Sequence, residues 1–387
     1  MFVRILSKFA FAVLVAAVLF TNALVSSDAK QEPRQLIVHE WGTFTTVSTI
    51  DGTAQAWSPL LGPSELPKFV YRSEEARQWQ CFKCSLALAR METPVLYFYA
   101  DRKTDVSVNV GFPLGQITEW YPQARLDKHA IRWENFSVEP GANEGFPTDQ
   151  SQSHYYPARE TDAAPIRLKT EQEKFLFYRG LGDITLPLSV EMAGGKVIVN
   201  SAGQEIAQVI VFEKRDGRAG WRIHGRLKGE AAIDRPTFGQ TPGQQMDSLL
   251  CEIESTLVAE GLYPKEAAAM VKTWRDSWFE EGLRVFYILP RTATDAILPI
   301  TISPAPTELV RVMVARAELI TPEMERAVLA AAKQFNEPSP ESRAAAIKTV
   351  RIYGRFAEPV LRGAMGRVRT DEERNRIWEL IKAASAG

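Results

Sequence analysis

The sequence is poor in the residues that most often carry metal or nucleophilic chemistry. Its 387 residues include only three cysteines and four histidines. The histidines, which lie far apart along the chain, are His39, His129, His154 and His224. The G-x-S-x-G, H-E-x-x-H and phosphate-loop motifs and a complete G-x-G-x-x-G motif are also absent. A catalytic or metal site must therefore gather residues from distant parts of the sequence, which leaves metal and cofactor content unknown.

An excess of charge of either sign is absent as well. The 46 lysines and arginines balance 47 aspartates and glutamates, which gives a formal net charge of −1. Nucleic-acid binding and attachment to anionic membrane surfaces both depend on a large positive field. The charge balance therefore argues against these two classes of partner. We expect a protein or carbohydrate ligand instead.

Beyond the N-terminus, no apolar run reaches the roughly 20 residues that a membrane-spanning helix needs. The apolar run 9–20 is shorter and follows a stretch with two basic residues and no acidic one. Together with the small residues Ser27 and Ala29, this pattern is typical of a signal peptide. We therefore predict a signal peptide over residues 1–29 and a periplasmic or extracellular protein without a membrane span after cleavage. The alternative is an uncleaved N-terminal anchor.

Two of the three cysteines, Cys81 and Cys84, form the sequence C-F-K-C. In an oxidising compartment they could close a disulfide, although so short a loop would constrain the unfolded chain little. A thioredoxin-type redox site needs its first cysteine at a helix N-terminus, whereas Pro94 and an apolar strand follow closely here. The sequence favours a structural disulfide or two idle thiols over a redox function.

Residues 30–235 have the pattern of β-structure. Residues 106–112 alternate between apolar and polar, which indicates a half-buried strand, while residues 95–99 are apolar throughout and suit a strand buried on both faces. The turn sequences Gly194-Gly195 and Asp216-Gly217 each separate two strand-like runs and predict hairpins. Short strands with such turns predict an antiparallel sandwich or meander.

The remaining sequence changes period. Apolar residues recur every three or four positions over 246–257 and 267–278, which predicts two amphipathic helices, and strand-like runs return before residue 320. We therefore predict an α+β section over 236–320 and a helical tail over 321–387. Three helix starts in the tail are predicted by Thr321-Pro322, Ser339-Pro340 and Thr370-Asp371. The chain as a whole is predicted to be α+β, with a β-rich N-terminal part.

One segment of the tail resembles a known repeat family. Residues 354–361 (GRFAEPVL) are similar to the start of the second helix of HEAT-like repeats. The resemblance implies paired helices that form an interaction surface. The alternative is a helical cap on the preceding domain.

His39 and Glu40 are adjacent candidate catalytic residues. Successive side chains of a strand point to opposite faces, so these two cannot act together as an acid–base pair. Either one could join a distant partner, such as His129, in a catalytic or metal-binding cluster. The alternative is a structural strand in which Trp41 packs in the core and Gly42 marks a bend.

A basic stripe and an aromatic loop are candidate ligand-binding features. On a strand predicted over residues 221–228, the side chains of Arg222, His224 and Arg226 lie on one face and could hold an anionic ligand. Such a stripe is also typical of a solvent-facing sheet surface. Tyr155 and Tyr156 lie in a polar connection between residues 139 and 165, and loops of that length are uncommon unless they are disordered or functional. Aromatic side chains such as these are also the ordinary filling of a sandwich core.

Two hypotheses of different classes follow. The first is an exported, non-catalytic binding or scaffold protein that uses the aromatic loop or the basic stripe. The second is an exported hydrolase, metal-dependent or not, whose candidate catalytic residues are His39, Glu40, His129 and His154. Convergence of two or more of these side chains in one cleft with carboxylates nearby favours the enzyme, and scattered histidines on the outer surface favour the binding protein.

Overall fold

The computed structural model describes residues 35–58, 66–74, 86–151, 153–238 and 242–385. The predicted signal peptide, Cys81 and Cys84 lie outside these residues. From Leu36 onward the described residues belong to one compact unit. Most of its strands precede residue 235 and its C-terminal part is helical, so the predicted α+β class is confirmed.

The elements are numbered in chain order. The strands of the described residues are β1 (Leu36–Thr49), β2 (Tyr71–Arg72), β3 (Ala89–Ala100), β4 (Thr104–Gly111), β5 (Gly115–Tyr121), β6 (Arg125–Asp127), β7 (Ala130–Val138), β8 (Ile166–Leu168), β9 (Glu171–Glu173), β10 (Leu176–Gly182), β11 (Ser189–Ala193), β12 (Lys196–Ile206), β13 (Val209–Arg215), β14 (Arg218–His224), β15 (Leu227–Asp234), β16 (Gly282–Ile288), β17 (Ile300–Ser303) and β18 (Glu308–Ile320). The α-helices of the same residues are α1 (Pro242–Ala259), α2 (Pro264–Trp278), α3 (Arg291–Ile297), α4 (Pro322–Phe335), α5 (Pro340–Ile352), α6 (Ala357–Arg367) and α7 (Asp371–Ser385). In the part of the chain that the structure describes, none of the helices is both long and apolar enough to cross a membrane.

A nine-stranded sheet organises the fold, in the order β14-β13-β16-β18-β1-β3-β10-β5-β2. It combines strands from both sides of the predicted boundary at residue 235. Its pairings are antiparallel, as predicted, except that β1 and β18 are parallel. A parallel pair requires a long crossover connection, and the whole chain between these two strands provides it.

Two hairpins confirm the turns that the sequence predicts. β11 and β12 pair across Gly194 and Gly195, whose φ angles are 57° and 79°. β13 and β14 pair across Asp216 and Gly217, whose φ angles are 53° and 74°. A two-residue turn with positive φ at both positions matches the twist of the flanking strands, which explains the choice of glycine and aspartate.

The large sheet has a core on each face. One core contains Val108, Trp133 and Val199 from the smaller sheets, whose strand orders are β17-β4-β7-β8-β9, with β6 beside β7, and β11-β12-β15. The other core contains Leu249 of α1 and Trp274 of α2. These helices thus cover one face of the large sheet while the smaller sheets cover the other.

The C-terminal helices pack together in one group. α4 packs on α5, α6 and α7, and α7 also packs on α5 and α6. The three helix starts predicted from sequence are confirmed, and the Oγ1 atom of Thr321 accepts a hydrogen bond from the backbone N–H of Met324 at 3.3 Å. The core between these helices also contains Val47 of β1 and Trp57, so it joins the tail to the large sheet.

Candidate binding cleft

His39 is fully buried on the face of β1 that packs against α2. Its Nδ1 atom lies 2.7 Å from the Oε2 atom of Glu266, in the first turn of α2. Glu266 also accepts hydrogen bonds from the hydroxyl of Tyr99 at 2.8 Å and from the backbone N–H of Tyr263 at 2.7 Å. His39 and Glu266 therefore connect the large sheet to the start of α2.

Glu40 is fully buried on the opposite face of β1. Its carboxylate accepts a hydrogen bond from the hydroxyl of Tyr178 and another, 2.5 Å long, from Nε of Arg311 on β18. Arg311 also donates from Nη1 to Asp295 at 2.7 Å. Glu40 thus belongs to a buried ion pair between strands and shares no hydrogen-bond partner with His39 among the described residues.

The two remaining catalytic candidates lie elsewhere. His129 is exposed, with Nδ1 2.9 Å from the carbonyl oxygen of Gly115, and His154 is half-buried, with Nδ1 3.0 Å from the carbonyl oxygen of Thr273. In the described part of the chain, no hydrogen bond or ion pair joins any two of the four candidates. Within the described ranges, no group of three or more histidine, cysteine, aspartate or glutamate side chains is arranged to hold a metal ion.

Tyr155 and Tyr156 face the body of the protein. Tyr155 is 1% exposed and donates from its hydroxyl to Oε2 of Glu173 at 3.0 Å, while Tyr156 donates to Asp149 at 2.7 Å. Glu173 also accepts two hydrogen bonds from Arg159, at 2.9 and 2.6 Å. Burial, followed by the charge of Glu173, raises the pKa of Tyr155 well above its ordinary value. Both tyrosines therefore hold the long loop in place.

Glu139, the first residue of this loop, is held by three hydrogen bonds. It accepts hydrogen bonds from Nζ of Lys103 at 2.8 Å, Nε of Arg167 at 3.0 Å and Oγ of Ser137 at 2.8 Å. These bonds, with that of Lys103 the strongest, lower the pKa of Glu139 from its ordinary 4.5 to about 2. The carboxylate is therefore better stabilised in the folded chain than in the unfolded one.

We expect the substitution Glu139→Gln to lower the free energy of unfolding by about 1 kcal/mol at neutral pH. Because the pKa is lower in the folded chain, the contribution of Glu139 is complete above pH 4.5 and is lost as the pH falls toward about 2. Urea denaturation of both proteins across that range measures the difference. Glu144→Gln is the control, since Glu144 is exposed on the same loop. A difference that stays constant down to the lowest pH would contradict the prediction.

The basic stripe is divided between two sheets. The prediction of a single strand over residues 221–228 is wrong. β14 ends at His224, and β15, which belongs to the three-stranded sheet, begins at Leu227. Arg222 and Arg226 are exposed and His224 is half-buried. Arg226 forms an ion pair with Glu205. The chain leaves one sheet for the other at Gly225, which interrupts the alternation of side chains.

A cleft of about 540 Å³ lies where the large sheet meets the helical tail. Four segments line it: the turn between β13 and β14, the residues from the end of α2 to the start of β16, the N-terminus of α4, and the C-terminus of α5. The first two come from the sheet and its helical cover, and the last two from the tail. The cleft therefore depends on the contact between these parts.

Buried ion pairs support one wall of the cleft. Arg284 and Arg316 both contact Oε1 of Glu318, Arg284 through Nε at 2.9 Å. Arg316 also reaches Glu280 of the cleft lining, with 3.2 Å between Nη2 and Oε2. Burial lowers the pKa of Arg284 to about 10, with the charge of Glu318 opposing the shift. Arg284 donates further to the backbone oxygens of Trp278 and Glu281, at 2.7 and 2.8 Å, which fixes the end of α2.

Acidic side chains outnumber basic ones in the lining. The acidic residues are Glu213, Asp216, Asp276, Glu280, Glu281 and Glu323, and the basic residues are Lys214, Arg215 and Arg351. Burial, followed by the charges of Glu281 and Asp216, raises the pKa of Tyr353 in the same lining. Sequence analysis did not identify these residues as a site, since the Asp216-Gly217 pair indicated only a turn.

Comparison with known proteins identifies no family for this chain. No protein-family model and no curated protein sequence matches it. The chain is structurally similar to the Fcho1 mu homology domain of Danio rerio with bound Eps15 peptide, at 8% identity and a TM-score of 0.31, over 75% of this chain and 99% of that one. It is also similar to the yeast delta-COP-I mu-homology domain complexed with Dsl1 WxWxV peptide, at 10% identity and a TM-score of 0.27, over 74% and 97%. TM-scores this low do not establish a shared fold.

Proposed function

We propose that this protein is a non-catalytic binding protein that acts outside the cytoplasm, and that the cleft receives part of its partner. The observation that carries the proposal is the concave site of about 540 Å³, which falls within the range of roughly 300–1,000 Å³ typical of ligand sites. The buried ion pairs of Arg284 and Arg316 with Glu318 support one wall of this cleft. A site supported in this way keeps its shape before the partner arrives, which lowers the entropic cost of binding.

The positions of the candidate catalytic residues support binding over hydrolysis. His39 and Glu40 are held in separate buried clusters on opposite faces of β1. His129 and His154 each lie beside a different backbone carbonyl. These four side chains therefore do not form the convergent cluster that we expected of a hydrolase, although only His129 of the three histidines is exposed, as we expected of a binding protein.

The proposed location rests on the N-terminal sequence. The short apolar run and the small residues after it predict cleavage after Ser27 or Ala29. N-terminal sequencing of the protein recovered from the exported fraction of its native cells tests this part of the proposal. An intact Met1 in a cytoplasmic fraction would contradict it.

Photo-crosslinking tests the cleft as the binding site. Ile352 lines the cleft and is 48% exposed, whereas Val258 on α1 is 39% exposed and does not line it. A benzophenone amino acid at either position, in protein made in the native cells, reports on contacts there. We expect a partner adduct from position 352 and none from position 258. No adduct at position 352, or equal adducts at both positions, would reject the cleft as the binding site.

A further inference from the structure

We propose that the cleft receives a lysine- or arginine-rich segment of a partner protein. This inference rests on the proposed function and adds the chemistry of the partner. Of the described residues that line the cleft, six are acidic and three are basic. This excess of acidic side chains matters because a concave site bounded by protein concentrates the electric field of its charges and attracts ligands of the opposite charge.

The basic side chains of the lining are already engaged by the protein itself. Nζ of Lys214 donates to the backbone oxygen of Phe279 at 3.3 Å, Arg215 pairs with Glu213, and Nη2 of Arg351 donates to the backbone oxygen of Ala383 at 2.9 Å. These hydrogen bonds direct the positive charges toward protein acceptors. An anionic ligand would have to compete with them.

Three of the carboxylates remain available to a ligand. Asp216 and Asp276 form no hydrogen bond or ion pair with any other described residue, and Glu281 accepts one hydrogen bond, from the backbone N–H of Gly217 at 2.7 Å. By contrast, Glu213 is occupied by Arg235 and Arg215, and Glu280 by Arg316. The negative charge that is free to pair therefore lies at the turn between β13 and β14 and at the end of α2.

Helix ends add to this preference. α5 ends at the cleft, and the C-terminal carbonyl groups of a helix carry a partial negative charge that favours cations. α2 ends there too, but the carbonyl oxygens of Trp278 and Phe279 already accept hydrogen bonds from Arg284 and Lys214. α4 begins there, but its positive end already has Glu323 and Glu325 in the first turn and a hydrogen bond to Thr321. The end of α5 therefore adds to the preference for a cationic group.

An exposed apolar side chain suits a long basic side chain in particular. Ile352 is 48% exposed in the same lining as the free carboxylates. Lysine and arginine bury their aliphatic stems against apolar surface while their charged groups stay at polar positions. A basic peptide segment can therefore contact both the free carboxylates and the apolar side chain. A small polyamine, which has no separate backbone and side chains, satisfies these two features less completely.

Isothermal titration calorimetry with a short capped lysine–alanine peptide tests the inference. The cleft variant combines Asp216→Asn, Asp276→Asn and Glu281→Gln. The matched control combines Asp105→Asn, Glu134→Gln and Glu144→Gln, which removes the same charge from exposed positions outside the cleft. Asparagine accepts the positive φ of residue 216, and glutamine keeps an acceptor for Gly217, so both variants are expected to fold. Circular dichroism and thermal unfolding check this.

We expect the native and control proteins to bind the peptide with affinity that falls as salt rises, and the cleft variant to bind it about tenfold or more weakly. A glutamine–alanine peptide should not bind. The inference would be overturned if the glutamine–alanine peptide bound as tightly as the lysine–alanine peptide, or if the cleft variant bound the lysine–alanine peptide as tightly as the native protein does. If spermidine bound as tightly as the lysine–alanine peptide, the assignment of a protein partner would be overturned. An adduct at position 352 without lysine-peptide binding would reject the cationic chemistry alone, whereas failure of both experiments would reject the proposed function too.

Discussion

Replacing Glu40 with alanine is expected to lower the free energy of unfolding by about 3–5 kcal/mol, because the change leaves Arg311 charged and buried without its main partner. Both side chains are fully buried, and their ion pair joins β1 to β18 at the centre of the large sheet. The hydroxyl of Tyr178 loses its acceptor as well. Urea denaturation at neutral pH, followed by circular dichroism, measures the loss.

Two further variants separate charge from packing at this position. Glu40→Gln keeps the shape and an acceptor for Tyr178, so we expect a smaller loss. The double substitution Glu40→Leu with Arg311→Met removes both charges and should recover much of the stability lost in Glu40→Ala, since apolar pairs often replace buried ion pairs without cost. A loss below about 1 kcal/mol in Glu40→Ala would contradict the structural role and restore Glu40 as a catalytic candidate.

Local patterns in the sequence predicted much of the secondary structure. The alternation over residues 106–112 appears in β4, with buried and half-buried residues in turn, and the apolar run 95–99 lies in β3, between β1 and β10. The turn pairs and the helix starts at threonine or serine before proline were equally informative. These features depend on neighbouring residues, so a single sequence contains the signal for them.

Pairings between distant residues had no such signal. His39 and Glu266 are separated by 227 positions, and Glu40 and Arg311 by 271. Alternation along β1 predicted that His39 and Glu40 face opposite ways, but only the strand order determines which charge each one meets. The cleft was missed for the same reason, because its four segments meet through the packing of the tail on the sheet.

The polar composition of the loop around Tyr155 suggests an exposed segment, whereas the side chain of Tyr155 is buried in the structure. Its polar sequence indicated a binding loop, yet Arg159 lies among aromatic rings, with its guanidinium carbon 5.6 Å from the ring centroid of Tyr155 and 5.1 Å from that of Tyr156. Glu173, on β9, is the partner that allows this arginine to be half-buried among these rings. An arginine and a glutamate in separate segments do not indicate their pairing from sequence alone.

Replacing Trp57 with alanine is expected to destabilise the protein by about 3–5 kcal/mol and to loosen the helical tail. Trp57 is fully buried in the core that joins β1 to the tail, and its ring centroid lies 5.9 Å from that of Phe356. Ser58 adds polar contacts to α6, since Nη2 of Arg362 donates to its hydroxyl at 2.8 Å. Removing the indole therefore leaves a cavity at the main contact between tail and sheet. Urea denaturation and hydrogen exchange over α4 to α7 measure the two effects.

The same substitution should also weaken the cleft, although Trp57 does not line it. The ring of Phe356 lies between Trp57 and the cleft's support, with the guanidinium carbon of Arg316 4.8 Å from its centroid, and Arg316 reaches Glu280 in the lining. α4 and α5, which the tail contributes, form two of the four lining segments. We therefore expect Trp57→Ala to reduce the adduct from position 352, while Leu114→Ala, at a side chain 64% exposed and outside the cleft, changes neither stability nor adduct. A destabilised Trp57→Ala protein with an undiminished adduct would show that the cleft keeps its shape without this contact.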